Sequence, residues 1–416
     1  MTEKNKSIRN FPTLRFLGFD LEKNSYKKYL FKDIFLFSTG KNIKQNEASP
    51  EFETFCVRYG ELYHMYSEVI KEVINKTDLD KTELIFSEGD EILLPSAGED
   101  PLDIGLASAL TIANVAIGRT INILKPMSSD VYSQIYVSYY INHKLRRKIS
   151  ALAKGSSISN VYNSDLKTLE IILPNVNEQK KVANFLSLLD DRIITQRKII
   201  SHLETLMKNS QENIFNQKLK LKKENGNNFP EWKIKKLGDL LIESKEKSRE
   251  KNQYRIISST AKGLFYQDDY FTRDIASQDN TGYKILKKNQ LVFSPQNLWL
   301  GNINVNSDFE VGLVSPSYKI FNFDEKLTSA SFCKYYLKTS AMLFEFGQSS
   351  IQGASVVRRN LDLNMFFNIQ IQIPSIDEQT KIANFLSAIA EKIETEKKIL
   401  AQYQTQKKYL LANLFA

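Results

Sequence analysis

Two stretches of the chain place apolar residues at steps of three and four, a spacing that predicts two long amphipathic helices with a coiled-coil seam. The first seam consists of Val182, Phe185, Leu189, Ile193, Ile200, Leu203, Met207 and Ile214. The second consists of Ile382, Phe385, Ile389, Ile393, Leu400, Tyr403, Leu410 and Leu414. Gln196 and Ser210 fall on the first seam, and Glu396 and Lys407 fall on the second. Each helix should run for roughly 40 residues, about 60 Å at 1.5 Å per residue.

The two predicted helices are copies of one sequence. Residues 173–187 recur as residues 373–387, and the offset of 200 residues continues without a gap as far as Phe215 and Phe415. A helix of this length cannot bury its seam against one small domain, whereas two related helices can bury their seams against each other. We therefore expect an antiparallel pair that joins the two halves of the protein. The alternative is that each helix lies in a separate bundle.

Each helix is predicted to begin just after a proline. Pro174 and Pro374 disfavour helix in the residue before them, so the helix should start on their C-terminal side. Asn177 and Asp377 are the predicted N-caps, because such side chains accept hydrogen bonds from free backbone N–H groups. A glutamate follows each of them, where the helix dipole favours a negative charge.

The segments before the helices contain short β-rich runs. These runs are residues 53–61, 91–95 and 122–125 in the first half, and 254–258, 290–295 and 317–323 in the second. Each half then has a short predicted helix with a tyrosine pair, followed by a glycine-containing loop at Gly155 or Gly353. A final predicted strand, residues 169–173 or 368–373, leads into the proline.

These patterns predict an α+β protein with a pseudo-twofold internal repeat. Two similar mixed α/β domains are separated by two long antiparallel coiled-coil helices. The predicted bounds are residues 1–173 for the first domain, 174–222 for the central helix, 223–373 for the second domain and 374–416 for the C-terminal helix. The order of elements repeats while most residues do not, which suggests two similarly mounted domains that recognise different things.

Composition and charge narrow the class of partner. The 416 residues are 42% hydrophobic and 25% charged, which is typical of folded protein. The net charge is +9, with an excess of basic residues in both halves. This balance favours a polyanionic partner such as nucleic acid, although a cytosolic protein of slightly high pI would show the same totals.

The sequence offers little support for catalysis, a metal site or a membrane span. It lacks a Gly-x-x-x-x-Gly-Lys-Ser/Thr loop and an Asp/Asn-Pro-Pro-Tyr/Phe segment. His64, His143 and His202 are scattered, and Cys56 and Cys333 share no motif, so we expect neither a metal site nor a disulfide. The polar start and the short, interrupted apolar window at residues 105–118 predict a cytoplasmic protein.

Several polar loops could contact DNA. Asn and Gln can pair with adenine, Arg can pair with guanine, and Ser or backbone amides near Gly can hold phosphates. The candidates in the first half are Arg58, Tyr63, His64, Ser96, Gly98, Arg119, Lys154 and Ser156. Those in the second half are Ser294, Gln296, Asn297, Trp299, Gln352, Arg358 and Arg359. Each of these residues is also compatible with ordinary loop chemistry.

Together these features resemble the specificity (S) subunits of type I restriction-modification systems. The resemblance depends on Leu-Pro-x-x-x-Glu-Gln-x-Lys-Val-Ala-Asn-Phe-Leu from residue 173 and on its twin from residue 373, each ahead of a long helix. Residues 228–239, Asn-Phe-Pro-Glu-Trp-Lys-Ile-Lys-Lys-Leu-Gly-Asp, look like the usual opening of a target-recognition domain in this family. In the first half Asn10-Phe11-Pro12 lacks the tryptophan, and Phe31–Ile34 replaces Leu-Gly-Asp.

The resemblance implies two target-recognition domains, each of which reads one half of a split double-stranded DNA site. It also implies that the helices set the spacing and dock two methyltransferase subunits, with restriction subunits joining for cleavage. S-adenosylmethionine, ATP and Mg²⁺ would then belong to those partners, and this chain would make no bonds itself. The residues expected to meet the partners are Glu178, Gln179, Phe185, Glu378, Gln379 and Phe385.

Two alternatives stay open on the sequence. A coiled-coil scaffold without DNA readout would need the helices and no DNA-facing loops, and electrophoretic shifts with random and selected duplexes would identify it. A stand-alone nuclease or methyltransferase would modify or cut DNA unaided when supplied with magnesium and S-adenosylmethionine.

Overall fold

The fold is described from a computed structural model. It describes residues 12–19, 26–128, 130–155, 157–270, 279–352 and 359–415. The chain forms two compact units. Unit 1 comprises residues 1–197 and 398–416, and unit 2 comprises residues 198–397.

Among its described residues, unit 1 contains thirteen strands and six short α-helices, followed by the start of a long helix. The strands are β1 (Lys27–Leu30), β2 (Phe35–Thr39), β3 (Thr54–Val57), β4 (Val69–Ile70), β5 (Lys76–Thr77), β6 (Phe86–Glu88), β7 (Glu91–Pro95), β8 (Ala97–Gly98), β9 (Ser108–Leu110), β10 (Ala113–Ile117), β11 (Ile121–Pro126), β12 (Ser159–Asn160) and β13 (Glu170–Leu173). The helices are α1 (Phe31–Ile34), α2 (Tyr59–His64), α3 (Pro101–Ile104), α4 (Gln134–Tyr140), α5 (Arg146–Ala151), α6 (Asn163–Leu166) and α7 (Val176–Phe215).

Unit 2 contains twelve strands and four short helices among its described residues, together with most of a second long helix. The strands are β14 (Lys233–Lys236), β15 (Leu241–Glu243), β16 (Ile257–Thr260), β17 (Gly263–Tyr266), β18 (Lys284–Lys287), β19 (Leu291–Phe293), β20 (Ile303–Val305), β21 (Val311–Val314), β22 (Lys319–Phe323), β23 (Ser350–Gln352), β24 (Arg359–Leu361) and β25 (Gln370–Ile373). The helices are α8 (Gln267–Tyr270), α9 (Ala330–Tyr336), α10 (Ser340–Gln348), α11 (Leu363–Asn368) and α12 (Ile376–Leu414).

The internal repeat extends to the sheets. In unit 1 the order β2-β11-β7-β9 is antiparallel throughout, and unit 2 repeats it as β15-β22-β19-β20. In both units the opening strand pairs with the strand before the proline, with Lys27 opposite Leu173 and Lys233 opposite Ile373. Unit 1 adds a second sheet of order β5-β3-β10-β6. The frame is therefore shared while the additions differ.

The predicted strands are mostly confirmed, but several bounds differ. The run at 290–295 is a strand only at Leu291–Phe293, and the run at 368–373 only at Gln370–Ile373, because Asn368 ends helix α11. The run at 53–61 is a strand only at Thr54–Val57, because Glu61 accepts a hydrogen bond from the backbone N–H of Arg58 and this bond starts helix α2 instead. The run at 254–258 is wrong at its start, since β16 begins at Ile257, and the run at 317–323 begins at Lys319. These strand ends are set by side-chain hydrogen bonds and turns. Such features leave no periodic pattern of hydrophobic residues from which the ends could be predicted.

The two long helices are confirmed at 40 and 39 residues, and they pack antiparallel. In unit 1 the first half of α7 contacts the last part of α12, where Lys407 meets Asp190 at 2.7 Å. In unit 2 the second half of α7 contacts the first half of α12, where Lys397 meets Glu204 at 3.0 Å. The predicted fold class, two mixed domains with a long antiparallel helix pair, is thereby confirmed.

The predicted N-caps, Asn177 and Asp377, are wrong by two residues. The helices begin at Val176 and Ile376, so both predicted caps lie inside the first turn. Asn175 Oδ1 accepts the N–H of Glu178 at 2.9 Å, and Ser375 occupies the same place in α12. Each true cap directly follows a proline, which keeps the residue before the proline out of the helical region, so the helix begins on the C-terminal side of the proline.

The seam is confirmed at most positions and wrong at one. Gln196 and Glu396 are buried on it as predicted, with 7% of each residue exposed. Phe385, however, is 39% exposed, and Leu386 beside it is fully buried. At this end α12 packs on the core of unit 2 through Ile382 and Leu386, so the inward direction differs from that of a two-helix seam.

Candidate nucleic-acid interface and helix junctions

In unit 1, helix α2 brings together several of the predicted DNA contacts. The Tyr63 hydroxyl donates a hydrogen bond to the carbonyl of Ala97 in β8. A Cβ atom at Gly98 would lie 2.8 Å from that hydroxyl oxygen, so a larger residue here would displace the end of the Tyr63 side chain. The ring of His64 lies 6.0 Å from that of Tyr63. Three of the predicted residues, Tyr63, His64 and Gly98, therefore share one surface.

Two predicted arginines lie near the other end of α2. Arg58 Nε donates to the buried carboxylate of Glu61 at 2.8 Å, and Asn75 donates to the same oxygen at 3.0 Å. Arg119 is exposed. Its turn lies next to Arg58, since the N–H of Gly118 donates to the carbonyl of Val57. Arg58 is thus held in place by an internal ion pair, while Arg119 presents its charge to solvent.

The remaining candidates of unit 1 surround strands β8 and β12. Ser96 is fixed by its backbone, which donates to Thr120 and accepts from Val161, both at 2.9 Å. Lys154 bridges to Asn160 through its backbone and pairs with Asp165 at 2.8 Å. Ser156 lies outside the described residues.

In unit 2 the loop at residues 294–301 meets strand β24. The guanidinium carbon of Arg359 lies 4.1 Å from the centroid of the Trp299 ring, a cation–π distance. The backbone N–H of Arg359 donates to the carbonyl of Gln296 at 3.2 Å. Trp299 Nε1 and Arg359 Nε are both buried without a hydrogen-bond partner among the described residues. Residues 60 positions apart in sequence thus form one aromatic and basic surface.

The other candidates of unit 2 shape this loop. Ser294 is buried, and its carbonyl accepts the N–H of Asn297 at 3.1 Å. Gly301 closes the turn with φ of +84°, a conformation that favours glycine. Gln296 is exposed beside it. Arg358 and the side chain of Gln352 lie outside the described residues.

A buried polar network in unit 2 was missed in the sequence. Ser259 Oγ donates to Asn302 at 2.7 Å and accepts from Asn304 at 2.8 Å, while Lys338 donates to Asn304 at 2.7 Å. Burial lowers the pKa of Lys338, and nearby Lys334 lowers it further. The signal was the alternation Asn-Ile-Asn-Val-Asn at residues 302–306, which is typical of a half-exposed strand, but tertiary packing buries both of its faces.

The glutamines of the repeated Glu-Gln motif anchor each long helix to its domain. Gln179 is fully buried, donates to the carbonyls of Val131 and Pro174, and accepts the N–H of Ser133. Gln379 makes the equivalent bonds: it donates to the carbonyls of Leu327 and Pro374 and accepts the N–H of Ser329. It also accepts a hydrogen bond from the Thr328 hydroxyl. These side chains connect helix to domain within the chain, and their predicted contact with a partner stays a prediction.

The glutamates of the same motif differ between the units. Arg15 clamps Glu178 with two hydrogen bonds of 2.9 and 2.6 Å, and Tyr26 donates a third at 3.3 Å. Glu378 is 6% exposed, and its Oε2 has no hydrogen-bond partner among the described residues. Burial raises the pKa of Glu378, and the nearby Trp232 indole and the charge of Lys220 oppose this rise only in part.

This difference predicts opposite effects of one substitution on stability. The raised pKa of Glu378 means that its ionised form destabilises the fold above the usual carboxyl pKa of 4.5. Glu378→Gln should therefore raise the free energy of unfolding at pH 7, and the gain should shrink as the pH falls through the raised pKa and should be lost by about the unfolded value of 4.5. Glu178→Gln should lower it by about 2 kcal/mol, since Arg15 is left buried without its anion. Urea denaturation at pH 7 and pH 4 measures both, and equal losses would contradict the prediction.

The two phenylalanines predicted to meet partners also differ. Phe185 is half-buried, and the ring of Phe16 lies 5.5 Å from its own ring, edge to face. Phe385 is 39% exposed at the equivalent place in α12. Of the pair, Phe385 is the side chain that offers apolar area to another molecule.

Metal sites and membrane-spanning helices are absent from the described ranges. These ranges contain no group of three or more His, Cys, Asp or Glu side chains able to hold a metal ion. None of their helices combines the length and the apolar character that crossing a membrane requires.

Comparison with known proteins places the chain in a family. A family described as "Type I restriction modification DNA specificity domain" matches residues 24–205 and again residues 230–404. A putative type I specificity subunit of Mycoplasma genitalium is 41% identical over 75 residues, which cover 18% of this chain and 18% of that relative. The putative specificity subunit of the type I restriction enzyme MjaX from Methanocaldococcus jannaschii is 23% identical over 313 residues, 71% of this chain and 70% of the relative.

Solved structures share the fold. The S subunit of a type I restriction-modification system from M. genitalium superimposes with a TM-score of 0.61 at 19% identity, covering 98% of this chain and 99% of that one. A chain from a study of complex assembly and conformational transition in a type I system has a TM-score of 0.51 at 12% identity, covering 94% and 96%.

The chain belongs to the type I restriction-modification specificity family, because the family's domain matches it twice and together these matches span most of its length. It is a specificity subunit with two target-recognition domains, as the doubled motif indicated. Such subunits recognise DNA and are not catalytic.

Proposed function

We propose that each target-recognition domain of this subunit reads one half of a split double-stranded DNA site. One observation carries the proposal: the two units share the sheet order and the helix anchor, but they carry different candidate contacts. Unit 1 offers the α2 surface with Tyr63 and Arg119, and unit 2 offers Trp299 with Arg359. A shared frame with dissimilar side chains suits two different half-sites.

Mapping methylated adenines tests this function directly. The genome of a host that expresses this chain with its neighbouring methyltransferase should carry methyl groups at one bipartite motif with a constant gap. A single contiguous motif, or none, would contradict the proposal. Binding of the complex to such a site should weaken steeply as salt rises, because basic residues displace counterions from DNA.

The loop of unit 2 should control only one half of the motif. Replacing Trp299 and Arg359 with alanine removes the cation–π pair and its guanidinium donors, so we expect at least a tenfold loss of discrimination in one half-site. The other half-site should keep its preference. Methylation mapping of the variant checks this, with Lys262→Ala at an exposed turn of unit 2 as the control. Altered preference in both halves would refute the modular interpretation.

The long helices are proposed to set the gap between the half-sites. Their 40 and 39 residues correspond to a rod of about 60 Å, and one turn of B-DNA is about 34 to 36 Å, so the rod is long enough to separate two domains by one turn. Adding or removing residues in either helix should change the tolerated gap. An unchanged gap would count against this role.

The partners and cofactors follow the same proposal. Two methyltransferase subunits dock on the helices and restriction subunits join for cleavage, in the cytoplasm. S-adenosylmethionine, ATP and Mg²⁺ are bound by those partners. Because an adenine inside a duplex must be flipped out before it is methylated, the domains would hold the DNA on both sides of the distorted base.

A further inference from the structure

Unit 2 contains a cavity with an unsatisfied carboxylate. The cavity has a volume of about 350 Å³, and its lining includes Gln217, Lys220, Trp232, Gln372 and Glu378. Glu378 is 94% buried, and its Oε2 atom has no hydrogen-bond partner in the described part of the chain. A buried carboxylate without a cation is costly, so this arrangement requires an explanation.

In unit 1 the equivalent glutamate, Glu178, has its hydrogen bonds satisfied by an arginine of the same chain. Arg15 binds both oxygens of Glu178, and only 10% of the Arg15 side chain is exposed. Its guanidinium also lies over the ring of Tyr26, with 5.2 Å to the centroid. The site in unit 1 is therefore a complete guanidinium receptor made of a carboxylate and an aromatic ring.

The backbone shows which residues correspond. The backbone N–H of Leu14 donates to the backbone carbonyl of Asn413 at 2.9 Å. The N–H of Leu219 donates to the backbone carbonyl of Asn213 at the same distance. Asn213 and Asn413 are 200 positions apart, as in the repeat, so Lys220 stands where Arg15 stands in unit 1. Lys220 is exposed and forms no ion pair with Glu378 within 4.0 Å.

The aromatic wall of the site is also retained. Strands β1 and β14 begin at equivalent positions of the two units, so Trp232, the residue before β14, corresponds to Tyr26, the residue before β1. Trp232 and Glu378 both line the cavity, and the indole acts to lower the pKa of the Glu378 carboxyl. Unit 2 therefore has the anion and the aromatic ring of the receptor, and it has room where unit 1 has an arginine.

We propose that the cavity beside Glu378 is a receptor for an arginine side chain that a protein partner supplies in the assembled complex. The guanidinium would bind Oε2 of Glu378 and lie against Trp232, as Arg15 binds Glu178 and lies against Tyr26. An arginine suits this site better than a lysine does, because its planar fork pairs with a carboxylate and stacks on an aromatic ring. The identity of the partner rests on the proposed function, in which methyltransferase subunits dock on the helices.

Tryptophan fluorescence can test the receptor without any partner. The chain has two tryptophans, so Trp299→Phe leaves Trp232 as the single reporter at the cavity wall. Titration of this chain with N-acetyl-arginine amide should give a saturable change in emission in the millimolar range. The neutral analogue N-acetyl-citrulline amide should give none. Glu378→Gln should abolish the response, and Glu231→Gln, an exposed carboxylate at the same cavity, should change it less than twofold.

Three outcomes of the titration would overturn the proposal. These are no saturable change, an equal change with the neutral analogue, and a response that survives Glu378→Gln. A response that appears only after Lys220→Ala would show that the chain fills the site with its own lysine, which also overturns a role for a partner. As a positive control, Arg15→Ala should create the same vacancy in unit 1, and the probe should restore at least part of the lost thermal stability.

Assembly with the methyltransferase subunit tests the partner. Glu378→Gln should weaken association of the full chain with that subunit at least tenfold, whereas Glu231→Gln should change it less than twofold. Equal affinity of the Glu378→Gln variant and the parent chain would overturn the partner role. If the unaltered chain failed to bind the methyltransferase subunit at all, the proposed function would be contradicted. The fluorescence titration would still test the arginine receptor independently.

Discussion

Replacing Gln379 with alanine is expected to lower the free energy of unfolding by about 4 kcal/mol, the largest loss we expect from one side chain. Gln379 is fully buried and makes four hydrogen bonds, to Leu327, Pro374, Thr328 and Ser329. Alanine would leave these groups buried and unpaired and would also open a cavity. Because Ser329 is the N-cap of α9, its loss of order would spread into the core of unit 2.

Urea denaturation followed through Trp232, which packs near Phe332 in the core of unit 2, measures this loss. Gln402→Ala is the matched control, since it removes the same side chain from an exposed position of the same helix. The control should change the free energy of unfolding by less than about 0.5 kcal/mol. A loss of similar size in both variants would show that helix propensity, and not the buried bonds, determines the effect.

Replacing Lys407 with methionine is expected to cost about 3 kcal/mol, and a second substitution should restore most of it. Lys407 is half-buried and binds Asp190 at 2.7 Å and Glu68 at 3.1 Å, while the Tyr139 hydroxyl donates to Asp190. Burial lowers the pKa of Lys407, but the two carboxylates outweigh it and hold the pKa above its usual value. Without the ammonium group, the two half-buried carboxylates would lose the cation that they share.

The repeat itself supplies the compensating change. Ala390 and Met207 in unit 2 occupy the positions of Asp190 and Lys407 in unit 1. The double variant Asp190→Ala with Lys407→Met should therefore recover more than half of the loss, because it copies the two residues that the repeat has at these positions in unit 2. Denaturation of both single variants and the double variant gives the coupling energy. Strictly additive losses would contradict the prediction.

The raised pKa of Lys407 also sets the sign of its pH dependence. A basic group whose pKa is higher in the folded state stabilises the fold below its unfolded value of 10.5. That contribution is lost only as the pH rises through the raised value. The difference between the parent chain and the Lys407→Met variant should therefore be constant from pH 7 to pH 9 and should shrink under strongly alkaline conditions.

The contact between α7 and α12 differs in polarity between the two units. In unit 1 the seam carries an ion pair, and in unit 2 the same level carries an alanine and a methionine. A buried charge tolerates only a partner that neutralises it, whereas an apolar level tolerates many. The ion pair therefore favours the pairing of the first half of α7 with the last part of α12.

The amino-acid sequence by itself determined the long helices, the repeat and the family. A seam of apolar residues at steps of three and four is a local property, and the structure confirmed it at lengths of 40 and 39 residues. The strand 91–95 was predicted with the bounds that the structure has, since a short apolar run is local too. The helix caps were missed although their residues, Asn175 and Ser375, are good caps that follow a proline.

Only the tertiary structure decided how the candidate sites are built. Arg15 and Glu178 are 163 residues apart, and no local period predicts that they meet. The same is true of Trp299 with Arg359 and of the three buried asparagines at 302, 304 and 306, whose alternation is typical of a strand with one wet face. Polar contacts between distant residues depend on how strands and helices pack, whereas the hydrophobic period of a helix depends only on its own turn. For this reason the sequence predicted the long helices and the repeat, whereas only the tertiary structure showed that Glu178 is paired with an arginine and that Glu378, among the described residues, is not.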